Sequence, residues 1–351
     1  FSRADNQIIT ASWDGSVKVW DITRINELPI LLGHTETVRK AQFSHDGAYL
    51  ITSSIDNTAR IWDTNTGQEL RELSHTQNIY DVQFSYDDKY IVTASEDHTA
   101  RIWDAKTGQQ LASLGHQDIV WSAAFSHDGK YVVTASRDKT LRIWDAVTGK
   151  EVHKFQAYTQ DVTDAEFSND DSLVVTASLD LKGVVWDAHT FRQIAKLEGH
   201  TGNMRSASFS PDSKLIVTAG EDNTARVWSV RTGKEIGTLR EHSNYVQSAH
   251  FSSDGKYIVT ASHDNTARVW DAETFQELFT IYGHKDDLWD AQFSFDGRYV
   301  VTAGGDNTAR VHFVRYEEVL AHAKKHAKVK LTCEERRQFL REVNVCPTPT
   351  P

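Results

Sequence analysis

A tryptophan recurs at an almost constant interval along this chain of 351 residues. Successive tryptophans are 41 or 42 residues apart, and His312 stands where an eighth would follow, the seven being Trp20, Trp62, Trp103, Trp144, Trp186, Trp228 and Trp270. So constant a period indicates one supersecondary unit copied in tandem. We therefore expect side chains shared by every copy to support the structure. Side chains that vary at a fixed position are the place to look for function.

Each unit contains four short segments rich in β-branched and aromatic residues, separated by turns that contain Asp and Gly. We call the predicted strands a, b, c and d in chain order. In one unit, a, b and c correspond to residues 120–125, 131–135 and 140–144, and d follows the turn at Gly149. This pattern is typical of an antiparallel meander. Because one such sheet cannot bury both of its faces, the copies are expected to pack face to face around an axis.

Two recurring dipeptides identify a family resemblance. Gly-His occurs at 33–34, 115–116, 199–200 and 283–284, and Trp-Asp occurs at 20–21, 62–63, 103–104, 144–145, 186–187 and 270–271. With these pairs in phase, the chain strongly resembles the WD40-repeat β-propellers over residues 1–315. The resemblance implies an all-β propeller of four-stranded antiparallel blades.

The number of blades depends on how the first residues are used. Residues 1–33 form a partial first repeat and full repeats begin at residue 34, so the chain holds eight repeat units. In the family, the strand before the first full unit closes the ring by pairing with the last blade, which here corresponds to residues 27–32. Seven closed blades are favoured because they leave fewer unpaired strand edges. Residues 1–21 would then be the end of an upstream segment, and we expect this chain to be the C-terminal part of a longer protein. Eight blades, two of them incomplete, are the alternative.

The resemblance also implies a chain of hydrogen bonds across each blade, from Trp indole to Thr hydroxyl to His to Asp. A satisfied buried network of this kind rigidifies a sheet. Because the set recurs around the ring, we interpret it as scaffold and not as a catalytic triad. Its members are His34, Thr52, Asp56, Trp62, His75, Thr93, Asp97, Trp103, His116, Thr134, Asp138, Trp144, His200, Thr218, Asp222, Trp228, His242, Thr260, Asp264 and Trp270. Tyr158 replaces His in one unit and His312 replaces Trp in the last, so those two blades are expected to lack a complete network and to be weaker.

Residues 316–351 break the repeat and predict a short helical tail. Residues 316–329 place acidic residues first and lysines last, as the helix dipole prefers. Thr332 and Glu335 form a capping box for a second short helix, and a disordered proline-rich end follows. Segment 331–340 resembles the helical tails of bacterial multidomain WD40 proteins, which commonly join a propeller to a STAND-type NTPase, a caspase-like domain or a kinase. His322 and His326 share one helix face, which we interpret as solvated or docking, so no metal site is expected.

Composition excludes several classes of function. The formal net charge is −11, and the tail carries seven Lys/Arg and five Asp/Glu, which leaves −13 for residues 1–315. So acidic a surface argues against nucleic acid as the primary ligand. No apolar run approaches the length of a membrane span. The only cysteines, Cys333 and Cys346, lie in the tail, so a disulfide framework is absent and a cytoplasmic location is expected.

No enzyme and no cofactor are expected. The chain has no phosphate-binding GxxxxGK[ST] loop, no zinc-ligand spacing and no Gly-x-Ser-x-Gly elbow. The predicted channel-side strands end in Ala-Gln-Phe-Ser, Val-Gln-Phe-Ser or Ala-Ala-Phe-Ser, which we interpret as packing and not as a catalytic cluster.

Tryptophans outside the Trp-Asp position mark candidates for partner binding. Trp121 and Trp289 follow the first apolar residue of strand a, and Trp13 precedes the Asp of a b–c turn. By analogy with the family, both positions open on one rim of the ring, and Arg, Trp and Tyr are typical of binding hot spots. The candidate set is Trp13, Arg39, Tyr80, Trp121, Arg137, Arg205 and Trp289, with Asp81, Glu96, Asp164, Glu221 and Asp290 among them. The alternative is that these side chains only seal the junctions between blades.

These observations favour a non-catalytic recognition propeller that binds a protein or peptide on one face of the ring. The tail favours the sensor module of a larger bacterial signalling or defence protein, in which a ligand on the ring relieves autoinhibition of an upstream effector domain. A constitutive scaffold for a multiprotein complex is the alternative. An effector in the same polypeptide separates the two, because a sensor needs something to control.

Overall fold

The alternating apolar segments of each unit form antiparallel strands, and no helix occurs among the residues that the structure describes. The computed structural model describes residues 7–11, 17–21 and 30–314. It divides into two compact units. In one of them, β1 (Gln7–Ala11) and β2 (Val17–Asp21) pair as a separate two-stranded sheet. The other unit, Ile30–His312, contains seven four-stranded sheets, which are the blades of a propeller.

The blades are numbered in chain order from the first complete meander. Blades 1 and 2 are β4 (Val38–Phe43), β5 (Tyr49–Ser54), β6 (Thr58–Asp63) and β7 (Glu69–Ser74), and β8 (Ile79–Phe84), β9 (Tyr90–Ser95), β10 (Thr99–Asp104) and β11 (Gln110–Gly115). Blade 3 is β12 (Val120–Phe125), β13 (Tyr131–Ser136), β14 (Leu141–Asp145) and β15 (Glu151–Phe155). Blade 4 is β16 (Val162–Phe167), β17 (Leu173–Ser178), β18 (Lys182–Asp187) and β19 (Gln193–Glu198). Blade 5 is β20 (Met204–Phe209), β21 (Leu215–Gly220), β22 (Ala225–Ser229) and β23 (Glu235–Leu239); blade 6 is β24 (Val246–Phe251), β25 (Tyr257–Ser262), β26 (Ala267–Asp271) and β27 (Glu277–Ile281).

Blade 7 closes the ring by combining both ends of this unit. Its strands are β28 (Leu288–Phe293), β29 (Tyr299–Gly304), β30 (Ala309–Phe313) and β3 (Ile30–Leu31). Strand β3 pairs with β30 through Ile30 opposite Arg310 and Leu31 opposite Ala309. The prediction of seven closed blades is confirmed, and the closing strand lies within the predicted residues 27–32. Trp13 and the predicted helical tail lie outside the described residues.

The hydrophobic core lies between successive blades. Between blades 1 and 2, for example, Ile51 and Ile61 pack with Val82, Phe84 and Trp103, all of them buried. Burial of a side chain of this size contributes about 1.5–3 kcal/mol to folding. Both faces of each sheet are covered in this way, so the repeat is stable only as a ring.

The antiparallel order places strand a at the central channel and strand d at the periphery. The ends of the strands define two faces of the ring. The upper face carries the d–a connections and the b–c turns, and the lower face carries the a–b and c–d turns. No helix capable of crossing a membrane occurs in the part of the chain that the structure describes.

Candidate functional site

A β-bulge near the start of every strand a positions the variable side chains of the upper face. In each blade the register between strands a and b shifts at the second residue of strand a, which leaves that residue without a partner. A bulge of this kind bends the strand and redirects a side chain. The seven redirected residues are Arg39, Tyr80, Trp121, Thr163, Arg205, Gln247 and Trp289.

Five side chains from five blades form a continuous stack around the upper mouth of the channel. The Arg39 guanidinium carbon lies 3.6 Å from the centroid of the Trp289 ring and 5.1 Å from that of Tyr80. Tyr80 contacts Trp121 with ring centroids 4.6 Å apart, and His263 contacts Trp289 at the same separation. We call these five residues the upper stack. All five are half-buried, so each keeps some surface open to solvent.

The upper stack contains one cation, the guanidinium of Arg39, and two carboxylates, Glu96 and Asp161, lie beside its rings. Burial lowers the pKa of Arg39 to about 10, which still leaves the guanidinium charged at neutral pH. The Tyr80 hydroxyl donates to Glu96 at 3.1 Å, and the Trp121 indole donates to Asp161 at 3.3 Å. These bonds fix both rings on the rim, because each ring is held by packing at its body and by a hydrogen bond at its polar tip.

The structure separates the other predicted rim residues into different environments. Arg205 pairs with Glu221 on the rim of blade 5, whereas the exposed Arg137 reaches Asp118 only at 3.8 Å and does not join the stack. Three of the predicted carboxylates, Asp81, Asp164 and Asp290, line an upper part of the channel together with Arg39, Tyr80, Arg205 and Trp289. These carboxylates and the predicted rim residues therefore meet at the upper mouth of the channel.

The channel is polar, which corrects its interpretation as a packed strand surface. Alternate residues of strand a project into it, and together they bring Lys40, Asp81, Asp164, Glu166, His250 and Asp290 around a cavity whose central part has a volume of about 180 Å³. Lys40 Nζ lies 2.6 Å from Asp81, and His250 lies 3.3 Å from Asp290.

The pKa of four channel groups is raised, by burial for the two acids and by neighbouring carboxylates for the two bases. Burial raises the pKa of Glu166 to about 7 and also raises the pKa of Asp164. For Lys40, burial acts against the charged form, but Asp81 and the other carboxylates outweigh it and raise the lysine pKa. Burial likewise opposes the charge of His250, and its bond to Asp290 raises the pKa of that imidazole.

The channel side chains join each blade to the next. Asp81 accepts a hydrogen bond from the Ala123 backbone amide at 3.0 Å, and Asp164 accepts one from Ala207 at 3.0 Å. Ser206 and Ser248 accept in the same way from the next blade. These oxygens satisfy backbone donors of neighbouring strands a that have no sheet partner on that side. This arrangement gives the carboxylates a structural role, and the sequence signal for it was the polar residue that follows each bulge.

The hydrogen-bonded chain implied by the family resemblance is present in blades 1, 2, 3, 5 and 6. In blade 3, Trp144 donates to Thr134 at 2.8 Å, the threonine lies 2.7 Å from His116 Nε2, and His116 Nδ1 lies 3.0 Å from Asp138. Because a carboxylate only accepts, Nδ1 carries the proton and Nε2 accepts from threonine. Burial disfavours the Asp138 charge, but hydrogen bonds from His116 and Thr140 hold its pKa far below the usual range.

The two blades predicted to lack this network depart from it less than expected. In blade 7, His312 Nε2 lies 3.0 Å from Thr302, so an imidazole nitrogen replaces the indole and the chain continues to His284 and Asp306. The prediction of an incomplete network in this blade was wrong. In blade 4, Trp186 donates to the Tyr158 hydroxyl at 2.8 Å and Tyr158 bonds Thr176 at 2.7 Å. The direct bond from the indole to the threonine and the link to Asp180 are both missing there, so the network of blade 4 is incomplete, as predicted.

Comparison with known proteins gives one family. The family model described as WD domain, G-beta repeat matches the chain eight times, over residues 1–21, 25–63, 67–104, 108–145, 149–187, 191–229, 233–271 and 275–312. The match at residues 1–21 covers β1 and β2, which form their own sheet outside the seven blades.

Similarity to individual proteins is confined to short segments. Cross-pathway control WD-repeat protein 2 of Flammulina velutipes is 39% identical over 71 residues, which is 19% of this chain and 22% of the relative. Cell division control protein 4 of Saccharomyces cerevisiae is 36% identical over 58 residues, 16% of this chain and 7% of the relative. Eukaryotic translation initiation factor 3 subunit I of Culex quinquefasciatus is 34% identical over 62 residues, 18% of this chain and 19% of the relative. The chain thus spans less than a quarter of each of these relatives, all from eukaryotes.

Proposed function

Since this chain belongs to the WD40-repeat family, we propose that its propeller is a non-catalytic recognition module that holds a partner protein or peptide on the upper face. The single observation that carries the proposal is the upper stack. Two tryptophans, a tyrosine, an arginine and a histidine meet on one rim, on side chains that differ from blade to blade. In a structure whose scaffold residues recur in almost every blade, such a departure marks the part of the ring adapted to a ligand.

The geometry of the upper stack suits binding because its rings are already positioned. Trp289 is held between Arg39 and His263, and Trp121 is held by Tyr80 and Asp161. A partner that packs on these rings loses little additional side-chain freedom of the propeller, which is how preorganised aromatic and arginine residues become hot spots. The alternative, in which these residues only seal the junctions between blades, predicts that their removal changes stability and leaves binding unchanged.

The test is a double substitution of the two tryptophans. Trp121→Ala with Trp289→Ala is expected to keep the fold, because both positions lie outside the hydrogen-bonded chains of their blades, and to weaken binding of a verified partner by tenfold or more. Partners are first captured with the wild-type chain and identified by mass spectrometry, and affinities are then measured by calorimetry. A matched control is Leu111→Ala, which removes an exposed apolar side chain from the outer strand of blade 2. Unchanged affinity in the double variant would overturn the proposal.

We further propose that recognition on the upper face controls an effector in a longer bacterial signalling or defence protein. Its support is the resemblance of residues 331–340 to the tails of such proteins, whereas the relatives named above are eukaryotic. The competing proposal, a constitutive scaffold, is supported by a relative whose name describes a subunit of a translation initiation factor.

Sequencing the complete gene separates these two proposals. A P-loop ATPase or protease-like domain in the same reading frame supports the sensor. A gene that encodes only the propeller and its tail supports the scaffold. Binding on the upper face is common to both, so this result does not affect the tryptophan test.

A further inference from the structure

The lower mouth of the channel carries a second aromatic cluster, formed at one variable position of the repeat. The residue after the conserved serine of each a–b turn differs from blade to blade: His45, Tyr86, His127, Asn169, Pro211, Ser253 and Phe295 in blades 1 to 7. The aromatic and imidazole rings belong to four consecutive blades, 7, 1, 2 and 3. We call Phe295, His45, Tyr86 and His127 the lower cluster.

The rings of the lower cluster contact one another around a cavity of about 370 Å³ that opens into the channel. His45 contacts Tyr86 with centroids 4.6 Å apart and Phe295 at 5.6 Å, and Tyr86 contacts His127 at 4.6 Å. Tyr86 is 45% exposed and Phe295 is 49% exposed. Two large rings therefore present about half of their surface to solvent at a concave mouth.

The turns that carry the lower cluster are held in place by neighbouring blades. Asp88 of blade 2 accepts hydrogen bonds from the backbone amides of His45 and Asp46 of blade 1, at 2.9 and 3.0 Å. Asp171 of blade 4 accepts in the same way from His127 and the residue after it in blade 3. The rings are thus mounted on rigid turns, which lowers the entropy lost when a ligand packs on them.

The lower face is acidic. The seven five-residue turns that begin at the serines contain nine aspartates and five basic side chains, an excess of four negative charges. The basic side chains that pair with aspartates of their own turns are exposed, as for Lys89 with Asp87 and Lys130 with Asp128. Exposed pairs of this kind contribute little and exchange readily with other cations. A cationic partner therefore fits this face, and an anionic one does not.

A groove between blades 3 and 4 extends the lower cluster outward. It has a volume of about 600 Å³, with apolar walls that include Tyr131, Val152 and Phe191 and with Asp128 and Asp171 at its edge. Because Asp171 also accepts a hydrogen bond from the His127 backbone amide, the groove begins beside the turn that carries His127. The groove thus combines apolar surface with carboxylates, and Lys130 and His189 also line it.

Phe191 forms an aromatic wall of this groove at a turn position where most blades carry glycine. Its φ is 59°, in the left-handed region, whereas the equivalent turn residue in four other blades is glycine: Gly67, Gly108, Gly149 and Gly233. Phe275 of blade 6 has the same φ, so Phe191 is distinguished by its place in the groove and not by its backbone conformation. The Phe191 ring is held by stacking on His153 of blade 3, 4.0 Å away with the planes 3° apart.

We propose that the lower face binds an extended protein segment in which lysine or arginine residues are combined with apolar side chains. The cations lie over the open rings of Tyr86 and Phe295 and beside the aspartates of the turns, where an aromatic face attracts a cation. An apolar side chain of the segment occupies the groove beside Phe191. This surface is separate from the upper stack and does not depend on it.

The experiment uses the whole chain and a fluorescein-labelled peptide of alternating lysine and leucine, with binding followed by fluorescence anisotropy. Tyr86→Asn with Phe295→Ser replaces the rings by residue types that other blades carry at this position, as in Asn169 and Ser253. Phe191→Gly copies the residue of four other blades and removes the groove wall. Each variant is expected to weaken binding by about tenfold, and peptides of alternating lysine and serine or of glutamate and leucine are expected to bind at least tenfold more weakly than the lysine–leucine peptide.

Two matched controls make the result specific. Phe275→Gly makes the same change at the other left-handed phenylalanine, in blade 6, and the Trp121→Ala, Trp289→Ala variant removes the upper stack. Both are expected to leave peptide affinity unchanged. Hydrogen exchange of the wild-type protein with peptide should protect the a–b turns of blades 7, 1, 2 and 3, a readout that needs no variant. No binding, equal affinity in the lower-face variants, or protection confined to the upper face would overturn the proposal.

Discussion

Replacement of Thr134 by valine measures what one hydrogen-bonded chain contributes to a blade. The Thr134 hydroxyl is fully buried, accepts from the Trp144 indole at 2.8 Å and donates to His116 at 2.7 Å. Valine has nearly the same shape but leaves one buried donor and one buried acceptor unsatisfied, each at a cost of about 1–3 kcal/mol. Allowing for the added apolar contact, we expect the free energy of unfolding to fall by roughly 2–4 kcal/mol.

Blade 4 provides a matched control within the same chain. There the indole of Trp186 donates to Tyr158, and the Thr176 hydroxyl accepts from Tyr158 at 2.7 Å while it donates to the Val184 backbone carbonyl at 3.2 Å. Thr176→Val leaves one buried donor unsatisfied, and the expected loss is about half as large, roughly 1–2 kcal/mol. Urea unfolding followed by tryptophan fluorescence measures both variants. Equal losses in the two blades would refute the explanation, because the number of unsatisfied groups would then not determine the cost.

Three further substitutions test other features of the ring. Burial lowers the pKa of His312 from 6.5 to about 3, so the folded state binds fewer protons and loses stability as the pH falls below about 6.5. His312→Trp should reduce the loss of unfolding free energy between neutral pH and about pH 4.5 by about 1–2 kcal/mol, which chemical denaturation at both pH values checks. Leu181 has a φ of 67° where four other blades carry asparagine, so Leu181→Asn should stabilise the protein by about 1 kcal/mol and Asn223→Leu should destabilise it equally in calorimetry. Lys40→Met leaves a buried carboxylate unpaired and should cost about 3 kcal/mol in urea unfolding, whereas Lys130→Met at an exposed pair should cost under about 1 kcal/mol.

The ring itself could be predicted from the sequence because its determinants are local and repeated. The interval between tryptophans fixes the length of a blade, and the turn residues fix the order of its strands. The number of blades followed from the pairing of one short strand. If residues 27–32 did not pair with the last blade, a strand edge would be left exposed. The positions of Trp121 and Trp289 on one rim were also accessible, because equivalent residues of a repeat occupy equivalent places.

What could not be predicted depends on distances between residues that are far apart in sequence. Lys40 and Asp81 belong to different blades, and nothing in either segment shows that they lie 2.6 Å apart in the channel. His312 seemed to interrupt the network because it is not tryptophan, yet its Nε2 reaches the same threonine hydroxyl that an indole nitrogen would. The stack of Arg39 on Trp289 likewise joins the first blade to the last, and only closure of the ring brings them together.

The strand that closes the ring determines how the molecule responds to mechanical load. Among the residues that the structure describes, strand β3 contributes two residue pairs to blade 7, whereas the outer strands of the other blades contribute four or five. In the described part of the chain, those two pairs and the buried Leu31 attach this strand to the ring. The seam at β3 is therefore the element that yields first under a pulling force. In a single-molecule stretching experiment, the propeller is expected to open at this seam while its other six sheets remain intact.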